Sequence, residues 1–191
     1  MNDIDVRNVV HNKLLKRYHN DPDAVVIDEF NLNYGEARAD IAVINGLIHG
    51  YELKSRKDNL NRLQNQVLHY SDVMDKVTLI VDISHVAHAI EMIPQWWGVR
   101  VITEGARGSL HINQVRKERT NPSPNPLSLA KILWKDECLV LLENAGFLKG
   151  NKSKPRYQLW KIIADNIPLR EIQKEVRYCI KKRKAMDEQD A

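Results

Sequence analysis

Cysteine is scarce in this chain of 191 residues: Cys138 and Cys179 stand alone and far apart. A disulfide-stapled scaffold is therefore excluded, and both thiols are expected to be reduced and packed, as in a cytoplasmic protein, rather than to bind metal. Cysteine and histidine clusters at zinc-ligand spacing are missing as well. So are long apolar runs: none approaches the roughly 20 residues that cross a bilayer. No signal-peptide pattern opens the sequence, and no membrane partner is expected. Neither an internal repeat nor a low-complexity tract is present. What the chain does have is an ordinary apolar content of 43%. That is enough for the core of one medium domain, or of one domain with a small appendage.

Charge is distributed unevenly. Residues 1–114 carry 12 Lys and Arg against 15 Asp and Glu, a balance of −3, whereas residues 115–191 carry 17 against 10, a balance of +7, and the two give the net +4. A basic C-terminal part suits a polyanion, nucleic acid first. It suits equally a solvated, lysine-rich helical surface. Near the change of sign, Thr120 to Pro126 holds three prolines in seven residues. This stretch is expected to be extended and unable to join a helix or central strand. The expected organisation is a core over 1–117, a linker over 118–127 and a basic helical domain over 128–191.

Hydrophobic periodicity predicts an amphipathic helix over 4–19, carried by Val6, Val9, Val10, Leu14 and Leu15 and stopped at Asn20-Asp21-Pro22. Strands are expected over 24–32 and around Asp40 and Glu52. A helix follows over 59–74, then a doubly buried strand over 77–83, a short helix over 84–93, and strands over 98–103 and 109–114. Three further helices are expected over 128–145, 155–165 and 168–184. This order predicts an α/β protein: a mixed sheet flanked by helices, with a helical C-terminal extension.

The densest chemical signal is the run Ala39-Asp40-Ile41-Ala42-Val43, followed by Gly50-Tyr51-Glu52-Leu53-Lys54. Asn45-Gly46 between them is a hairpin signal. Two carboxylates brought together with room for water suit a hard cation such as Mg²⁺, and a lysine beside them can orient or deprotonate an attacking water. Face arithmetic tests the idea. A two-residue loop would pair residue 40 with 51 and put Asp40 and Glu52 on opposite faces, because side chains alternate along a strand. A one-residue bulge or a three-residue loop, with Gly46 or Gly50 supplying the permissive backbone, puts them on the same face. Such an irregularity is therefore expected. The bland alternative is an exposed hairpin face with an ordinary ion pair.

On the next helix, Arg62, Gln66 and Tyr70 fall at spacings of four and share a face. They suit contacts to phosphate and base, or a solvent-facing helix edge. At this point a resemblance is clear. The segment 38–81 resembles the PD-(D/E)XK nuclease superfamily, and Gln66-x-x-x-Tyr70 resembles the element of its RecB-like exonuclease branch. Arg38-Ala-Asp-Ile-Ala-Val, Tyr51-Glu-Leu-Lys-Ser, Asn65-Gln and Tyr70 also resemble a small bacterial and phage family of nuclease-like proteins in which a helical part follows the core.

The resemblance implies a restriction-endonuclease-like fold and metal-dependent hydrolysis of DNA, an RNA substrate staying open. It implies that Asp40 and Glu52 ligate Mg²⁺ or Mn²⁺ together with the Leu53 carbonyl, and that Lys54 orients or activates the water. Gln66 and Tyr70 would hold the substrate backbone. No proline precedes Asp40, unlike the superfamily pattern. A further acid is drawn from Asp3, Asp5 or Glu29. The alternative function is a non-cleaving DNA- or protein-binding module on the same fold.

The remaining candidates have plainer readings. His85 and His88 are expected at the surface or half-buried, and Trp96-Trp97 is expected to pack on the sheet. Arg38 shares a face with Asp40 and is a candidate either to bind phosphate or to neutralise Glu29. The basic loop Lys149 to Arg156, with Lys152, Lys154 and Arg156, is the preferred nucleic-acid contact of the C-terminal part. The run Lys181 to Lys184 suits the negative end of a helix dipole. Oligomeric state is not signalled.

Overall fold

A computed structural model describes residues 2–32 and 35–189. Among these residues, helices α1 (Asp3–Val9) and α2 (Lys16–His19) precede strands β1 (Val25–Leu32), β2 (Ala37–Ile44) and β3 (Ile48–Lys54). Helix α3 (Leu63–Val73), β4 (Lys76–Asp82), α4 (Val86–Met92), β5 (Gly98–Glu104) and β6 (Leu110–Arg116) follow. Helices α5 (Pro126–Ala130), α6 (Lys135–Asn144), α7 (Arg156–Asn166) and α8 (Leu169–Gln189) complete the chain. The six strands form one mixed sheet in sequence order. β3–β4 and β4–β5 are parallel and the other pairs antiparallel. Both parallel steps need a crossover, and α3 and α4 supply them. The mixed α/β class, with helices flanking the sheet and a helical C-terminal part, is as expected.

Strand alternation divides the core. Ala42, Ile44, Ile48, Leu79 and Val81 face α3 and the C-terminal helices, whereas Ile41, Val43, Tyr51, Leu53 and Ile80 meet Val6, Val10 and Leu15 of the N-terminal helices. Leu129, Leu133, Leu142, Ile163, Val176 and Ile180 belong to the first of these clusters. The helices after the proline-rich stretch therefore share a core with the sheet. The stretch itself is strapped to the end of α3. Asn121 donates from its side chain to the carbonyls of Ser71 and Met74, and Ser128 Oγ donates to Asp72. Pro126 does join a helix, at the first position of α5, where its missing N–H costs nothing and Asn125 caps the turn.

Two expected helices are broken. The 4–19 helix widens into a π turn over Val10–Leu14 before α2. The 128–145 helix splits into α5 and α6. The break exposes the Leu133 carbonyl, which accepts a bond from Trp160 Nε1 at 3.1 Å, while the Trp134 amide donates to Glu137 to open α6. Cys138 and Cys179 are buried free thiols, pushed up to about 12 by burial, in keeping with packing roles. Among the described residues, no helix is long and apolar enough to cross a membrane.

Candidate functional site

The hairpin between β2 and β3 carries the expected irregularity. Ile44 pairs with Ile48, Val43 with His49, Ala42 with Gly50 and Ile41 with Tyr51. The loop is therefore the three residues Asn45-Gly46-Leu47, with Gly46 in the left-handed region at φ 66° and Asn45 N donating to Leu47 O. Extending this register places Asp40 opposite Glu52, on one face. There the ladder opens, and the Asp40 side chain takes the place of a backbone acceptor: Leu53 N donates to Asp40 Oδ2 at 2.7 Å. It is thus the Leu53 amide that touches Asp40. On β1, Asp28 pairs with Ile41 and Phe30 with Ala39, so Glu29 falls opposite Asp40. Acidic residues thus stand at neighbouring register positions of three strands, but the Glu29 carboxylate is turned to Arg7 and Arg38.

Glu52 is fully buried and heavily engaged. Lys54 Nζ lies 2.6 Å from its Oε1, Gln66 Nε2 donates to Oε1 at 2.6 Å, and the Tyr70 hydroxyl donates to Oε2. Tyr70 also donates to the Arg38 carbonyl at 3.3 Å and is itself fully buried. Its position is that of a group orienting the Glu52 carboxylate rather than of one meeting a strand at the surface. Gln66 performs the same task while reaching the cleft. Lys54 is only 5% exposed. Burial, and then the Glu52 charge, push the Asp40 carboxyl up to about 7 against the pull of Leu53 N–H, Lys54 and Arg7. Even with Lys54 and Arg7 near, Asp40 holds its proton up to about 7 in this poorly solvated place beside Glu52, and a divalent cation would favour its ionised form.

The acids that would complete such a site are otherwise occupied. Glu29 has φ 55°, a left-handed conformation costing about 1–2 kcal/mol in a residue other than glycine. Its carboxylate pairs with Arg7 at 2.7 Å and with Arg38 Nε at 2.7 Å. Arg38 thus neutralises Glu29. Asp5 closes the N-cap of α1 with Asn2, and Asp3 lies 3.9 Å from Arg7. Among the described residues, no group of three or more His, Cys, Asp or Glu is arranged to hold a metal ion. Asp40 and Glu52 are the pair that could hold one, with waters or a phosphate oxygen completing the shell.

Arg7 is the residue that sequence reasoning missed. Its guanidinium touches Asp28 at 3.3 Å, Glu29 at 2.7 Å and the Asp40 carbonyl at 2.8 Å, and lies 4.0 Å from Asp40 Oδ1. The one available signal was a lone arginine in an acidic helix turn; its docking on β1 and β2 is a long-range event.

A cleft of about 380 Å³ reaches the Asp40 side of this site, lined by Glu29, Arg38, Asp40, Arg62, Asn65 and Gln66 among others, whereas Glu52 and Lys54 lie buried behind it and do not line it. Of the basic loop, Arg156 lines a different and larger cavity, whereas Lys152 and Lys154 line neither. His85 binds the Arg56 carbonyl and His88 is exposed. Trp97 is fully buried against Tyr70, and Trp96 packs edge-on against it.

The family model described as Bacteriophage P4 protein cII matches residues 1–189. The protein cII of Enterobacteria phage P4 is 26% identical over 161 residues, which is 84% of this chain and 60% of the relative. The chain thus spans about 60% of the length of the curated relative it matches. Among solved structures, a protein of unknown function from Silicibacter pomeroyi is similar at 20% identity and a TM-score of 0.39, covering 73% of this chain and 88% of that one.

Proposed function

This chain belongs to the bacteriophage P4 protein cII family, whose name states no chemistry, and we propose from its site that it is a metal-dependent deoxyribonuclease of the PD-(D/E)XK kind. One observation carries this reading. Asp40 and Glu52 fall on one face of a hairpin with Lys54 Nζ 2.6 Å from Glu52, and the Asp40 carboxyl is pushed up to about 7 by burial and by its acidic neighbour.

Asp40 and Glu52 would hold Mg²⁺ or Mn²⁺, which when bound would stabilise negative charge on the phosphate oxygens. Lys54 orients a water for in-line attack on phosphorus, and the leaving sugar oxygen departs opposite to it. Gln66 and Tyr70 fix the Glu52 carboxylate, so that both acids meet the cation in one geometry. Arg62, exposed at the start of α3 and lining the cleft, positions a phosphate. Lys152, Lys154 and Arg156 would extend the contact to the DNA backbone through the C-terminal part. Replacing Lys152 and Lys154 by alanine should flatten the salt dependence of binding by about two units if each meets one phosphate of duplex DNA.

The test is an assay of the full chain with Mn²⁺ on linear, circular and single-stranded DNA. Cutting that disappears in Asp40→Ala supports the proposal. DNA binding without cutting in any metal would favour a non-cleaving module instead, and full activity in Asp40→Ala would reject the site.

A further inference from the structure

A second cavity, of about 670 Å³, lies between β1 and the C-terminal helices. It is within the range of about 300–1,000 Å³ that holds small organic ligands. Glu29, Asn31 and Gly35 line both this cavity and the acid cleft, so the two adjoin across these residues. Four cations border the larger end: Lys131, Arg156, Arg183 and Lys184. Arg183 lies 3.5 Å from Glu137 and Lys184 3.5 Å from the exposed Glu188, and the acids of the lining itself are Asp187 and Glu29, the latter already paired with Arg7 and Arg38.

The arginines are held in place. Arg183 stacks 4.8 Å from the Trp134 ring and bonds the carbonyls of Cys179 and Ile132. Arg156 stacks 4.9 Å from the Trp160 ring. Trp134, at the break between α5 and α6, is 57% exposed in this wall. The Trp134 ring meets the Arg183 guanidinium and keeps much of its surface open to the cavity. An aromatic platform combined with a cationic groove is the arrangement that binds single strands, with bases stacking and phosphates meeting the cations. A paired base hidden in a duplex stack does not reach into such a cavity.

We propose that this cavity is a subsite for an unpaired nucleotide, in which the base stacks on Trp134 and the phosphate meets Lys131 and Lys184, on a strand that continues into the neighbouring cleft beside Asp40. The proposal rests on the nuclease reading for what happens in the cleft, but binding in the cavity is measurable without cutting. Trp134 supplies affinity and Lys131 and Lys184 supply its salt dependence. The sequence being bound is then read weakly, because every base has a face to stack.

The test titrates the full chain with a short oligothymidylate in EDTA and follows tryptophan emission, with the matching duplex as comparison. The single strand should quench emission. Trp134→Phe should remove most of that quenching and Trp96→Phe should keep it. Trp134→Ala should weaken binding about tenfold. The Lys131→Ala/Lys184→Ala double variant, which leaves the helix break intact, should flatten the salt slope by about 1.4 units. Equal quenching in wild type and Trp134→Phe, or an unchanged salt slope in the folded double variant, would overturn the subsite. Cutting activity separates the two proposals. Quenching through Trp134 in a chain that never cuts keeps the subsite and removes the nuclease. Normal cutting with no effect of Trp134, Lys131 or Lys184 on oligothymidylate binding does the reverse.

Discussion

Strand β3 buries polar side chains on both faces, and the two faces are built on opposite electrostatic principles. On one, His49 Nε2 lies 2.9 Å from Thr78 Oγ1, and Tyr51, stacked on the imidazole, places its hydroxyl 3.2 Å from Nδ1. Burial pushes His49 down to about 3 and Tyr51 upward, so both are neutral and their hydrogen bonds are met. On the other, Glu52 and Lys54 remain as an ion pair with Asp40 alongside, and burial and like charge push Asp40 up to about 7. Polar burial alone is thus no mark of function, since the first face has it with both groups neutral. The second face crowds two carboxylates together, and even with Lys54 and Arg7 near, one of them holds its proton to about 7, which makes it a candidate for a cation and for chemistry.

The largest expected difference between the faces is in catalysis. Lys54→Ala should lower DNA cleavage by about 10²–10⁴-fold, the usual range for losing a positioned acid or base, with the fold checked by circular dichroism. Asp40→Ala and Glu52→Ala should be at least as severe. A variant of this group that cuts at the wild-type rate would erase the distinction drawn above.

Next in size are the pH dependences, which have opposite signs. The Asp40 carboxyl is raised in the fold from 3.8 to about 7. The folded state therefore binds the extra proton in that window, and stability is lost as pH rises from about 4 to 7. His49 is lowered from 6.5 to about 3. The unfolded state binds the extra proton there, and stability is lost as pH falls below 6.5. Each effect amounts to about 4–5 kcal/mol at full extent, and in the wild type they oppose one another. Asp40→Asn, which keeps an acceptor for Leu53 N–H, should stabilise the metal-free chain at pH 8 and steepen its loss of stability in acid. His49→Gln should do the converse. Urea unfolding at pH 4.5, 6 and 8 measures both, and parallel pH profiles for the two variants would contradict the account.

A smaller effect is expected at Tyr70. Removing its hydroxyl leaves one Glu52 oxygen with a lost partner, so Tyr70→Phe should cost about 1–3 kcal/mol of stability and about 10–100-fold in metal affinity, as read by denaturation and by Mn²⁺ titration. The smallest effect is on the opposite face: His49→Gln should leave the cleavage rate within about twofold of wild type. A large loss of cutting there would mean that the two faces work together.

Counting residues was enough to place the acids. The alternation of Asp40 and Glu52 required a three-residue loop or a bulge, and Asn45-Gly46-Leu47 is such a loop. The element order was legible for the same reason: local periodicity marks strands and helices wherever one face is buried. What escaped depends on contacts between distant segments. The left-handed backbone of Glu29 has no turn residue to announce it, and is held by Arg7 from α1 and Arg38 from β2. The break before Trp134 goes with a bond from Trp160 to the Leu133 carbonyl, 27 positions apart, so the indole read as part of one continuous helix. The cavity it borders needed α5, α8 and β1 together. The small helical break at Val10–Leu14 likewise lies inside an unbroken amphipathic pattern.

The central claim is cation capture by Asp40 and Glu52. Calorimetric titration of Mn²⁺ into the full chain at pH 6 and pH 8 tests it most directly, with Asp40→Asn in parallel. The account predicts saturable binding that is tighter at pH 8, with proton release near pH 7, and that is lost in Asp40→Asn. No binding by the wild type, or equal binding by Asp40→Asn, would contradict it.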